Sequence, residues 1–80
     1  MASADSLEAE VITSNERFTV TLIISALKAM QALMRLTGLS KTDVINRSVQ
    51  VYGFLAEQMN DGKEVLLRDR EGNLEKVHIL

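Results

Sequence analysis

The spacing of hydrophobic and polar positions changes twice along the chain. Residues 17–22, Arg-Phe-Thr-Val-Thr-Leu, alternate strictly: Phe18, Val20 and Leu22 fall on one side, Arg17, Thr19 and Thr21 on the other. That is the period-two pattern of a strand, and Phe, Thr and Val all favour one. The period then lengthens. Leu27, Met30, Leu33, Met34 and Thr37 share one face of a helix predicted over 24–37, with Lys28, Gln31 and Arg35 opposite. Gly38 stands where a left-handed C-cap is required. A second helix is predicted over 41–59. Ser40 is its N-cap, with Asp43 three residues on as in a capping box. Val44, Ile45, Val49, Tyr52, Leu55, Ala56 and Met59 form its apolar face. Asp43 and Arg47 are spaced for an i,i+4 ion pair, worth about 0.3 kcal/mol. Asn60-Asp61-Gly62 ends the helix, and two further runs follow, Glu64–Arg68 and Leu74–Ile79, flanking Asp69–Asn73. The Gly and Asn of the intervening Asp69–Asn73 are turn chemistry, so these two runs predict a β-hairpin.

The first strand has no such local mate, because a helix follows it. Its backbone N–H and C=O groups require a partner from elsewhere. Composition points the same way. Eighty residues make one domain at most, with a thin core. There is no Cys for disulfides and a single His, His78, so no His-rich metal cluster. Yet 46% of residues are hydrophobic and only 4% aromatic. A greasy chain without staples finds its stability in oligomerisation. The most apolar stretch, Phe18–Leu27, is interrupted by Thr19, Thr21 and Ser25, well short of the ~20 apolar residues that cross a bilayer. No basic segment precedes an apolar one at the N-terminus, so a cytoplasmic protein that binds no membrane is expected.

The net charge of −2 speaks against nucleic acid only until it is resolved along the chain. Residues 1–16 hold four acids (Asp5, Glu8, Glu10, Glu16) and no base. Residues 17–54 hold five bases (Arg17, Lys28, Arg35, Lys41, Arg47) and one acid, Asp43. The remainder is mildly acidic. Three regions follow: an acidic flexible arm at 1–16, a basic strand-helix-helix unit at 17–60, and a hairpin extension at 61–80. Two copies of the unit can pair their strands antiparallel about a two-fold axis, which satisfies the backbone and merges two thin cores. Arg17, Thr19 and Thr21 of both chains then share the outer face of a two-stranded ribbon. Such a ribbon fits the DNA major groove, where Arg reads guanine and Thr contacts bases or the thymine methyl. At the start of the second helix, Ser40, Lys41 and Thr42 offer two hydroxyls and a cation beside free N–H groups, a setting suited to phosphate.

RFTVTL, followed fifteen residues later by GLSKTDVI, resembles the ribbon-helix-helix repressors of the Arc, MetJ and CopG type, CopG-like members most of all. The resemblance covers Arg17 to about Met59. It implies a mainly α fold with short β, an intertwined homodimer sharing a two-stranded antiparallel ribbon, with the C-terminal β-hairpin outside the family core. It implies base contacts from Arg17, Thr19 and Thr21 and phosphate contacts from Ser40, Lys41 and Thr42. The expected function is a sequence-specific transcriptional repressor that binds double-stranded DNA as a dimer, with higher assemblies on tandem operator sites. Where the family places a polar cap or Pro after the strand, this chain has Ile23 and Ile24. Either the helix begins at Ser25 or it has lost its cap, and an exposed Ile-Ile pair would be a contact surface.

No catalytic set is visible, and neither enzyme activity, a metal nor a cofactor is expected. Met30, Met34 and Met59 at helical spacing are core. Two other functions fit part of the pattern. An antitoxin pairs a ribbon-helix-helix domain with a C-terminal segment that wraps a toxin, and a pure assembly module would use strand and helices only to dimerise. Val65, Leu67, Leu74, Val77 and Ile79 suggest that the hairpin packs on the helices, on a neighbouring subunit or on a protein partner.

Overall fold

The computed structural model describes residues 12–79. It contains two helices, α1 (Ile24–Thr37) and α2 (Lys41–Asn60), followed by two short strands, β1 (Val65–Arg68) and β2 (Leu74–Val77). Most of the expected acidic arm, residues 1–11, lies outside the described range, as does Leu80. Residues 12–23 belong to no helix or strand. The strand predicted at 17–22 is therefore not a strand within one chain. The physical reason is the one its position implies: a strand is completed by a partner, and β1 and β2 pair with each other.

Both helices stop where their sequence dictates. Gly38 adopts φ 72°, and its N–H donates to Met34 O at 2.9 Å, closing α1 with the left-handed turn that Gly tolerates best. Thr37 Oγ1 donates to Leu33 O at 2.6 Å and accepts from Leu39 N–H at 3.2 Å, which fixes the connection into α2. The far end of α2 winds down through Asp61 and Gly62. Their N–H groups donate to Glu57, Gln58 and Met59 carbonyls, and Gly62 turns the chain at φ 87°.

The two helix starts differ. Ser40 Oγ accepts from Asp43 N–H at 3.2 Å and caps α2 as expected. Ile23 occupies the N-cap of α1 in extended geometry and offers no side-chain bond. Of the two alternatives the sequence left open, the cap has been lost. The expected Asp43–Arg47 pair does not form; among the described residues the ion pair is Lys76–Glu64, at 2.7 Å. An exposed i,i+4 pair gains so little over hydration that its absence costs almost nothing.

The core is thin. Met30 of α1 and Val44 of α2 are the buried hydrophobics among the described residues, at 9% and 4% exposure. Leu27, Leu33 and Ile45 on the facing sides of the helices are only part-covered, and Phe18, Val20, Ile23 and Ile24 are open to solvent. An apolar groove of about 360 Å³ runs between the helices, lined by Leu33, Leu39, Val51, Tyr52 and Leu55, and Ile79 folds back to line its rim.

The C-terminal strands satisfy each other. Val65 faces Val77, Leu66 Lys76, Leu67 Glu75 and Arg68 Leu74 in antiparallel register. Asp69 builds the turn: its carboxylate accepts from the N–H groups of Glu71 (3.0 Å) and Asn73 (2.9 Å) and from Asn73 Nδ2 (3.1 Å). Those donors hold the Asp69 carboxyl below its ordinary range, the Asn73 backbone bond first among them. The bond from Lys76 does the same for Glu64. Val65, Val77 and Ile79 are half-buried, with Ile79 against the helices, whereas Leu67 and Leu74 remain exposed rather than packed. Both strands are shorter than their sequence patterns, because Glu64, His78 and Ile79 flank the paired residues without joining the ladder.

Candidate nucleic-acid interface

The first group of expected contact residues, Arg17, Thr19 and Thr21, lies along the segment before α1, and all three are exposed. Their alternates, Phe18 and Val20, are 77% and 64% exposed, so within one chain the apolar side of this segment covers nothing. Leu22 is the exception. It is half-buried and lines a second, smaller groove with Ala26, Met30, Leu33, Val44 and Ile45. The end of the segment is thereby anchored against the first turns of α2.

The second group, Ser40, Lys41 and Thr42, forms the cap and first turn of α2. Ser40 takes the N–H of Asp43 on its side chain and the N–H of Val44 on its carbonyl. Among the described residues the N–H groups of Lys41 and Thr42 find no acceptor, as expected for the opening positions of a helix. They point outward beside the Lys41 ammonium and the Thr42 hydroxyl, and the helix dipole adds positive potential there. Asp43 in the same turn offsets part of that potential. Sequence reasoning overlooked Asn46, whose side-chain amide donates to Thr42 O at 2.8 Å and braces this turn. The i,i+4 spacing from Thr42 is the signal that would have found it.

The two groups are therefore on separate elements, joined through the Leu22 groove. Both are exposed and lie in the basic part of the chain. Among the described residues no three His, Cys, Asp or Glu side chains converge on a metal position. No helix among them is long and apolar enough to cross a membrane. Comparison with protein-family models, curated proteins and solved structures finds no match. The likeness to ribbon-helix-helix repressors thus rests on RFTVTL, GLSKTDVI and their spacing.

Proposed function

We propose that the chain is a dimeric, sequence-specific DNA-binding protein that represses transcription by occupying its operator. In this reading residues 17–22 of two chains pair antiparallel across a two-fold axis, and the ribbon enters the major groove. The observation that carries it is the state of the 17–22 segment. It alternates like a strand, has no strand partner among the described residues, and exposes Phe18 and Val20 next to Leu22, which lines the groove between the two helices. A second copy supplies both missing parts: a hydrogen-bonding partner for the backbone and a cover for Phe18 and Val20.

The DNA assignment then follows from what remains outside. Covering Phe18, Val20 and Leu22 leaves Arg17, Thr19 and Thr21 of both chains on the outer face. Arg and Thr are side chains suited to reading base edges and thymine methyls. The α2 N-terminus of each chain, with Ser40, Lys41 and Thr42, holds a flanking phosphate. The five bases of residues 17–54 supply the electrostatic part of the affinity, which makes binding fall steeply with salt.

Selection of bound duplexes from a random DNA pool, followed by titration at two salt concentrations, tests this. A palindromic or tandem motif bound more weakly at the higher salt is the expected result. Absence of any shift at low salt would leave the paired strands as an assembly module without DNA. The antitoxin alternative has no support from the C-terminus, where residues 65–77 form their own sheet rather than a tail that folds around a partner.

A further inference from the structure

Among the described residues the C-terminal sheet has two free edges, and they are not equivalent. Just past β1, Asp69 N–H donates to Asn73 O at 3.0 Å across the turn, which makes that opposed pair a hydrogen-bonded one. Opposed residues in an antiparallel ladder alternate between hydrogen-bonded and non-hydrogen-bonded pairs. With Val65 facing Val77 and Leu67 facing Glu75, that alternation turns the backbone groups of Val65 and Leu67 towards β2. The backbone groups of Glu64, Leu66 and Arg68 then face outward along the free edge of β1. By the same rule Leu74 and Lys76 offer the outer edge of β2.

The sequence of the β1 edge is complementary to itself. Reading Lys63-Glu64-Val65-Leu66-Leu67-Arg68-Asp69 against its own reverse about Leu66 sets Lys63 opposite Asp69, Glu64 opposite Arg68, Val65 opposite Leu67, and Leu66 opposite itself. Every charge meets its opposite and every apolar residue meets an apolar one. Asp69 stays ionised in its turn, since its hydrogen bonds hold the carboxyl below the ordinary range. The β2 edge has no such register. A two-fold at Glu75 opposes Glu75 to its own copy, and one at Lys76 opposes Lys76 to its own, each a like-charge contact that destabilises pairing. Lys76 on that edge is the kind of residue that blocks edge-to-edge pairing, and the middle of the β1 edge has none.

We propose that β1 is a second self-association surface. Its free edge pairs antiparallel with β1 of another copy, about a two-fold axis at Leu66, to give a four-stranded sheet in the order β2-β1-β1-β2. Leu66, 48% exposed in the single chain, meets its own copy there. Each chain contributes one such edge, so a dimer joined through 17–22 carries two and links to further dimers in a row. An isologous contact added to an existing dimer has that consequence. The contact uses no DNA and no residue of 17–22; its failure and that of the DNA reading are independent.

One edge of this length buries far less than the ~1,200 Å² of a stable interface, so the association is weak and is read at high protein concentration. Sedimentation velocity on the full chain up to about 1 mM is expected to show growth in mass. Arg68→Glu and Glu64→Lys each set like charges opposite one another twice per contact and weaken this growth about tenfold. Mixing the two variants in equal amounts opposes the acidic edge to the basic one and restores it. A fold lost in either variant is visible by circular dichroism. Leu66→Pro then replaces them, removing only an outward N–H, which an edge strand tolerates, and is expected to abolish the growth. Constant mass in the wild type, or growth that the charge variants leave unchanged or that mixing fails to restore, overturns the proposal.

Discussion

Residues 17–22 and residues 65–77 both suit a sheet and reach different states. Residues 17–22 alternate strictly between apolar and polar side chains, whereas Val65-Leu66-Leu67-Arg68 and Leu74-Glu75-Lys76-Val77 do not, and it is these that form the sheet. The C-terminal pair closes its own ladder because five residues, Asp69–Asn73, return the chain on itself. The N-terminal segment runs straight into α1 and pairs with nothing among the described residues. Alternation alone does not make a sheet; the connection that follows a segment decides whether the sheet is made within one chain or between two. The buried residues tell the same story, since among the described residues Met30 and Val44 are the buried hydrophobics, a thin core. The segment that the proposed dimer would pair lies in the basic part of the chain.

The contrast is broken most severely by a charge at Val20. In the paired reading Val20 lies between two protomers, so Val20→Asp buries unpaired carboxylates in the shared core. A loss of about 3 kcal/mol or more and collapse to monomer are expected by denaturant titration and sedimentation. Leu74→Asp, on the exposed outer strand, is expected to cost under about 0.5 kcal/mol. Equal effects from the two would abolish the distinction between the segments. Next in size is Arg17→Ala, expected to weaken binding to the selected duplex by about 1–3 kcal/mol while leaving the dimer intact. Arg70→Ala in the C-terminal turn is expected to leave DNA affinity unchanged, and a matched loss would move the interface.

Ser40→Ala removes the cap of α2 and is expected to cost about 1 kcal/mol of stability, with a loss of DNA affinity beyond it if the first turn holds phosphate. Binding that survives intact in a folded Ser40→Ala protein would restrict Ser40 to capping. The smallest effect is acid sensitivity confined to the C-terminal sheet. Asp69 and Glu64 both have carboxyls held below their ordinary range in the folded chain. The unfolded state therefore binds protons first as pH falls. The stability they contribute is complete above the ordinary carboxylate range, about 4, and is lost as pH drops through their lowered values. NMR signals of Leu66–Arg68 and Leu74–Val77 are expected to lose dispersion in that window before those of α1 and α2. Simultaneous loss everywhere would show that the sheet has no separate acid response.

Local structure was legible where one residue type has one physical use. Gly38 at φ 72°, Ser40 on Asp43 N–H, and Asp69 in its turn follow from sequence, and so do both helices to within a residue. The start of α1 was not decided, since Ile23 has no capping chemistry and extended geometry there leaves no trace in the sequence. The Asp43–Arg47 pair was misread because spacing permits an exposed ion pair without favouring it over water. The strands were drawn too long because residues on either side of the paired ones, Glu64, His78 and Ile79, differ little in character from those that find a mate. For Arg17, Thr19, Thr21, Ser40, Lys41 and Thr42, the structure shows the expected exposure, and it places the last three at the start of α2 as expected but leaves 17–22 outside any strand. Their pairing depends on a second chain, which a single-chain pattern signals only as a backbone without a partner.

Amide hydrogen exchange across a dilution series addresses the central claim most directly. In the paired reading the amides of β1 and β2 that close their own ladder are protected at every concentration. The ladder amides within 17–22 are protected at high concentration and lose that protection on dilution, together with the dimer. Exchange of 17–22 at the unprotected rate at all concentrations, while the protein remains a dimer, would contradict it.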